Sequence, residues 1–218
     1  MSSASFVDPD EAARAARTRS RNQQLLSAAA RLMEREGFSN VSMQALATEA
    51  GVSVGLIYRY FGGKHDLLLA TILGIVDDLA TRIPAAVLSA GPDPVERLAA
   101  GFRAYCEVVD SNRHAAMVTY RESRSLDDES RSKIKRLEIE TSEPLRVAIC
   151  DGIAADLMKV ADVDLAVSNL MLMAHSWALK NWYHEREISL DEYIRSQTGF
   201  VLRAIVEDKA LPAYTHLV

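Results

Sequence analysis

Cysteine, proline, glycine and aromatic residues are all scarce in this chain: two, six and ten of the first three in 218 residues, with aromatics at 6%. Two isolated cysteines, Cys106 and Cys150, cannot build a disulfide framework, so free thiols in a reducing cytoplasm are expected. Few glycines and prolines beside abundant Ala, Leu, Arg and Glu favour helices over sheet. No apolar run approaches the roughly 18 residues needed to span a bilayer. The N-terminus has no charged-then-apolar arrangement, so neither membrane insertion nor export is expected. The five histidines, His65, His114, His175, His184 and His216, never fall into a metal spacing such as H-E-x-x-H. A glycine-rich phosphate loop is lacking too, so no metal, no cofactor and no enzymatic activity is expected.

What is present is an uneven charge. The chain carries −5 overall, which alone argues against a nucleic-acid binder. Residues 14–68 nevertheless carry +4, from Arg14, Arg17, Arg19, Arg21, Arg31, Arg35, Arg59 and Lys64 against four acids, while residues 69–218 carry −6. A basic segment on an acidic body is the footprint of one small module facing phosphates.

Periodicity places helices nearly everywhere. Leu25, Leu26, Ala29, Leu32 and Met33 share one helical face up to Gly37, a C-cap candidate. Ser42 is placed to cap a second helix containing Leu46 and Ala50, and Ser53 a third containing Ile57 and Phe61. A fourth runs from Lys64 to Pro84. Asp93-Pro94 starts a fifth, and a sixth spans His114 to Ser125. Asp127-Asp128-Glu129 opens a seventh that Pro144 should kink or interrupt. Two more read as Asp162–His184 and Ser189–Asp208. The expectation is an all-α chain of about nine helices: a mobile arginine-containing arm over 1–20, a DNA-binding module over 21–68, and a second domain over 69–218.

Two short helices joined by the Gly51 turn form a helix-turn-helix, whose second helix lies in the major groove. Each exposed group has a partner on a duplex. Ser42, Gln44 and Ser53 stand at helix N-termini that attract phosphate. Gly55 lets the backbone approach closely, and Val54 and Leu56 could pack on thymine methyls. Tyr58 and Tyr60 carry hydroxyls to the backbone, Arg59 suits bidentate reading of guanine, and Lys64 suits a phosphate.

The pattern SxGxxYxxFxxKxxL, here Ser53, Gly55, Tyr58, Phe61, Lys64 and Leu67, resembles the TetR family of bacterial transcriptional regulators. The close resemblance covers Leu25 to Leu68. Two positions depart from it: Tyr60 stands where the family usually has His, and Gly63 where it often has a capping Ser or Asn. The resemblance implies a two-domain homodimer that represses by holding double-stranded operator DNA until a small molecule binds the second domain. The apolar faces of the last two long helices could build the dimer: Leu165, Leu170, Leu172, Met173, Trp177 and Leu179, then Tyr193, Ile194, Phe200, Val201 and Ile205. Ligand-lining candidates are Phe102, Tyr105, Cys106, Met117, Tyr120, Arg121, Ile149, Ile153, Asn169, Met173 and Trp177. The segment WALKNWYHEREISLDEYI resembles regulators of this family that sense fatty acyl-CoA and related lipids. The competing reading is a dimeric DNA-binding regulator with no small-molecule effector, governed by a protein partner.

Overall fold

The computed structural model describes residues 9–217. Among them the chain forms ten α-helices, three short 3-10 segments and no strand. The helices are α1 (Pro9–Glu36), α2 (Met43–Glu49), α3 (Val54–Phe61), α4 (Lys64–Ser89), α5 (Pro94–Ser111), α6 (Arg113–Glu122), α7 (Asp128–Ala154), α8 (Val163–Leu179), α9 (Asn181–His184) and α10 (Leu190–Ile205). None is long and apolar enough to cross a membrane. The chain divides into two compact units, Met1–Gly74 and Ile75–Val218, a few residues later than the expected boundary at 68.

In the first unit α1 packs on α2 and α2 on α3. Leu25, Ala29, Leu32 and Met33 of α1 meet a core closed by Leu46, Ala47, Ile57 and Phe61, all buried. Helix α1 corrects the expected arm, since its first residue is Pro9 and residues 9–20 are helical. Proline costs nothing in a first turn, and the Ala/Arg/Glu/Gln run behind it has high helix propensity. Residues 1–8, and the side chains of Arg14, Arg17 and Arg19, lie outside the described ones.

In the second unit α5 is the central helix, packed on α7, α8 and α10. Its Val95, Leu98, Phe102, Tyr105, Cys106, Val108 and Val109 are all at most 2% exposed. Asp93 caps it, accepting from Val95 and Glu96 N–H. Close approach is possible at Gly101, where an added Cβ would stand 2.6 Å from Leu145 and 3.0 Å from Val87. Gly101→Ala is therefore expected to lower stability by about 1–3 kcal/mol through overpacking, read as a shifted urea midpoint at unchanged slope. An unshifted midpoint would mean that Leu145 and Val87 yield freely.

Two prolines behave differently from expectation. Helix α4 continues through Pro84 to Ser89, and α7 through Pro144 to Ala154 without interruption. The carbonyls that lose an N–H partner to each proline belong to Ala80 and Glu140, residues on the exposed side of their helices, where solvent can take the place of the missing donor. A break falls instead at Lys180 (φ −116°, ψ 25°), dividing the single expected helix over 162–184 into α8 and α9. The break lets His184 stack on Trp177, with ring centroids 5.9 Å apart and planes at 14°. Seven residues along a straight helix would separate the two by about 10 Å.

Candidate nucleic-acid interface and effector site

The turn between α2 and α3 is locked by its own backbone. Gly51 has φ +64°, Val52 N–H bonds Ala47 C=O at 2.9 Å, and Gly51 N–H bonds Thr48 C=O at 3.1 Å. That paired arrangement, with a left-handed residue after the helix, is a Schellman motif and calls for glycine. Ser53 then caps α3 by accepting from Leu56 N–H at 3.3 Å, and Ser42 caps α2 by accepting from Ala45 N–H at 3.1 Å. At the far end of α3, Gly63 N–H bonds Phe61 C=O across Gly62, whose φ of 70° and ψ of −58° describe a tight γ-turn. Both ends of α3 are thus fixed by short-range bonds, and its side-chain directions are fixed with them.

Helix α3 turns Ile57 and Phe61 inward and Gly55, Tyr58 and Arg59 outward. Nothing lies within 4 Å of an added Cβ at Gly55, so the backbone there is open to close approach. Tyr60 is also exposed, its ring 6.0 Å from Phe61, while Val54 and Leu56 are half-buried. On α2, Gln44 is exposed and so is Thr48, whose hydroxyl donates to Gln44 C=O. Thr48 was not singled out from sequence, although its spacing of four from Gln44 puts it on the same face. Lys64 is engaged differently from the expected phosphate contact. Its Nζ donates to Ser39 C=O at 3.1 Å and sits 4.5 Å from the Phe38 ring centroid, fastening α4 to the turn after α1. Arg31 and Arg35 both pair with Glu49.

The proposed effector residues fall into several environments. Phe102, Tyr105, Cys106 and Ile149 are buried, Met117 and Met173 half-buried, and Tyr120, Arg121, Ile153 and Asn169 exposed. Trp177 is buried and donates its indole N–H to Asp110 at 2.7 Å. Among these candidates, Tyr105 and Tyr120 are brought together by a residue outside the set. Tyr105 Oη lies 3.3 Å from His175 Nε2, and Tyr120 Oη lies 2.8 Å from His175 Nδ1. Burial drives the His175 pKa down to about 4, so the imidazole is neutral at pH 7. Burial raises the pKa of Glu138 on α7, and its charge acts on both phenols. Its place on the Ile134–Thr141–Leu145 stripe, three or four residues apart, was a sequence signal for an inward carboxyl. Two surface cavities lie elsewhere. One of about 330 Å³ runs along α10 between Glu192 and Arg203, and one of about 280 Å³ lies between α5, α10 and the C-terminal turn. Among the described residues no cluster of three His, Cys, Asp or Glu side chains could hold a metal ion.

Comparison with known proteins agrees with this geometry. Residues 25–71 match the family described as bacterial regulatory proteins, tetR family, and residues 91–205 match the tetracyclin repressor-like C-terminal domain. The chain is 36% identical over 174 residues to the HTH-type transcriptional regulator HbdR of Aromatoleum sp. (strain CIB), covering 80% of this chain and 76% of that one. Over 80 residues, 37% of this chain and 38% of the relative, it is 42% identical to the HTH-type transcriptional regulator BetI of Agrobacterium fabrum. Among solved structures, the TetR family regulator PfmR of Thermus thermophilus superposes with a TM-score of 0.73 at 25% identity, over 82% of this chain and 97% of that one. The fold is also shared by AibR, solved in complex with isovaleryl coenzyme A and operator DNA (TM-score 0.70, 21% identity, 83% of this chain and 97% of that one). A capped, glycine-turned helix pair with an exposed Tyr58–Arg59 face, matched together with its C-terminal body, places the chain in the TetR family of bacterial transcriptional regulators, which bind DNA and are not enzymes.

Proposed function

We propose that this chain is a ligand-released repressor that binds a palindromic operator as a homodimer in the cytoplasm. The observation that carries the reading is the outward face of α3, where Gly55, Tyr58 and Arg59 project from a helix fixed at both ends. In this reading Ser42, Gln44, Ser53, Tyr58 and Tyr60 hold the phosphate backbone, Gly55 allows close approach, Val54 and Leu56 touch thymine methyls, and Arg59 reads guanine. The unit from Ile75 onward holds the effector and the dimer contact. Exposed Leu165, Leu172 and Phe200, at 58, 55 and 62%, support pairing through α8 and α10, an apolar exposure that a second copy would cover. Two recognition helices about 34–36 Å apart then fit successive major grooves.

A small hydrophobic effector in the second unit shifts the population of dimers away from the spacing that fits DNA. Isovaleryl coenzyme A is the first probe to try, because the AibR fold carries both that ligand and DNA. The deciding experiment selects binding sites from random DNA and titrates the recovered operator by gel shift. Arg59→Ala is expected to lose about 1–3 kcal/mol of preference for the correct base at one position of each half-site, roughly a 10- to 100-fold loss. Lys64→Ala should weaken all sequences alike and lower stability by about 1 kcal/mol as its bond to Ser39 and its place over Phe38 are lost. Recovery of no palindrome, or unchanged base preference in Arg59→Ala, would overturn the assigned interface.

A further inference from the structure

A threonine inside a helix commonly turns its hydroxyl onto the carbonyl four residues back. Thr71, Thr81 and Thr119 do so here, at 2.8, 2.9 and 2.8 Å. Thr198 on α10 does not. It is 5% exposed, yet its hydroxyl makes no hydrogen bond among the described residues. A buried donor left without an acceptor is costly, and Thr198 lines the cavity of about 280 Å³ between α5, α10 and the C-terminal turn.

Arg195, three residues earlier on α10, lines the same cavity. Its ordinary partners would be the acids three and four residues back on its own helix, and both bond elsewhere. Asp191 accepts from Arg103 at 2.7 Å. Glu192 accepts from the N–H and hydroxyl of Ser189 at 2.8 and 2.7 Å, in the capping box. Arg195 acts on the two acids at a distance but makes no hydrogen bond or ion pair among the described residues. An exposed arginine in that condition is ordinary. One that shares a cavity with an unpaired buried hydroxyl is not.

The rest of the lining narrows what the two donors can hold. Ala99 and Ala100 of α5 and Ile194 of α10 supply an apolar surface, with Ala99 and Ile194 buried. The acid of the lining, Glu96, is engaged by His216 at 2.7 Å, and the second cation, Arg103, by Asp191 and Glu107. What stays without a partner is one guanidinium fork and one hydroxyl beside methyl groups. A carboxylate satisfies both, taking the fork on its two oxygens and the hydroxyl on one of them. A phosphate dianion would bring a second negative charge toward Asp191, Glu192 and Glu96. The volume of about 280 Å³ falls just below the roughly 300–1,000 Å³ of drug-sized sites, which keeps the tail short.

We propose that the cavity between α5 and α10 binds a short aliphatic monocarboxylate, with Arg195 and Thr198 holding the carboxylate and Ala99, Ala100 and Ile194 covering its tail. None of these residues belongs to the effector set above, so the site stands whether or not the chain is a ligand-released repressor.

The test uses the full chain with labelled Ala, Ile, Leu and Thr methyl groups. Butyrate, butyramide and inorganic phosphate are titrated separately while the methyl signals of Ala99, Ile194 and Thr198 are followed. Butyrate is expected to shift them saturably and to bind at least about tenfold more tightly than the amide or phosphate. Arg195→Gln should lower butyrate affinity about tenfold or more, and Thr198→Val roughly tenfold. Because the Thr198 hydroxyl has no internal partner to lose, Thr198→Val should leave the urea midpoint unchanged or raise it. Equal affinity for butyrate and butyramide, tighter binding of phosphate, or no saturable shift overturns the site. A lowered midpoint in Thr198→Val does so too, since the hydroxyl would then have a partner within the chain. Arg195→Gln that keeps butyrate affinity but changes the sedimentation mass would assign the guanidinium to a second copy instead.

Discussion

Phe200→Arg is expected to leave a folded monomer at micromolar concentration and to weaken operator binding by about 10²–10⁴-fold, the avidity that linking two half-site readers supplies. Phe200 is 62% exposed on α10, and Leu172 is 55% exposed on α8. An isologous interface uses each side chain twice, so one substitution removes two buried aromatic rings, each worth about 1.5–3 kcal/mol of burial. It also sets two new cations beside Arg195 and Arg203, both exposed on the same helix. Sedimentation gives the mass, and gel shift on the full palindrome and on a single half-site gives the affinity. The monomer's own stability should change by no more than about 0.5 kcal/mol, since an exposed residue contributes little within one chain. A variant that stays dimeric would move the interface away from α10. One that becomes monomeric yet binds the full operator normally would remove dimerisation from the mechanism.

Much of this frame was legible in the amino-acid sequence because it is written locally. Ser42, Ser53 and Asp93 are caps whose partners lie two or three residues ahead, and Gly51 is required by a turn closed within six residues. Information of that range survives in a single chain read without its fold. The helix breaks were harder. Pro84 and Pro144 are ordinary stop signals, and only the exposure of Ala80 and Glu140, a consequence of packing, explains why the helices pass through them. On α8 and α10, apolar periodicity could not separate inner from outer residues. Leu170, Trp177, Tyr193, Ile194 and Val201 are buried within the chain, whereas Leu165, Leu172 and Phe200 are not. A core face and an apolar outer face draw on the same side chains. Least legible was the Tyr105–His175–Tyr120 contact, joined across 70 and 55 positions, where no local pattern points to the pairing.

The buried imidazole makes the second large prediction, an acid-labile fold whose lability is traceable to one residue. In the unfolded chain His175 takes up a proton near pH 6.5, and in the folded chain only near pH 4. Between those values the unfolded state binds more protons, so stability falls as the pH drops. The stabilisation is whole above about pH 6.5, declines through the window, and is fully lost by about pH 4, amounting to about 3 kcal/mol. Other groups overlap it. Glu138, raised by burial, binds its proton more readily in the folded state and so opposes the loss, while Asp127 and Glu143, lowered by a backbone bond and by Arg146 respectively, add to it at more acid pH. His184 moves in the same direction as His175 but is mostly solvated. A matched variant separates these contributions. In His175→Gln the amide still offers one acceptor and one donor to the two phenols but never takes up a proton. Urea titrations of both proteins between pH 7 and pH 4 should show wild type more stable at pH 7 and its advantage shrinking by about 3 kcal/mol at pH 4. A stability difference that stays constant across that range would mean that the imidazole titrates alike in the folded and unfolded chain.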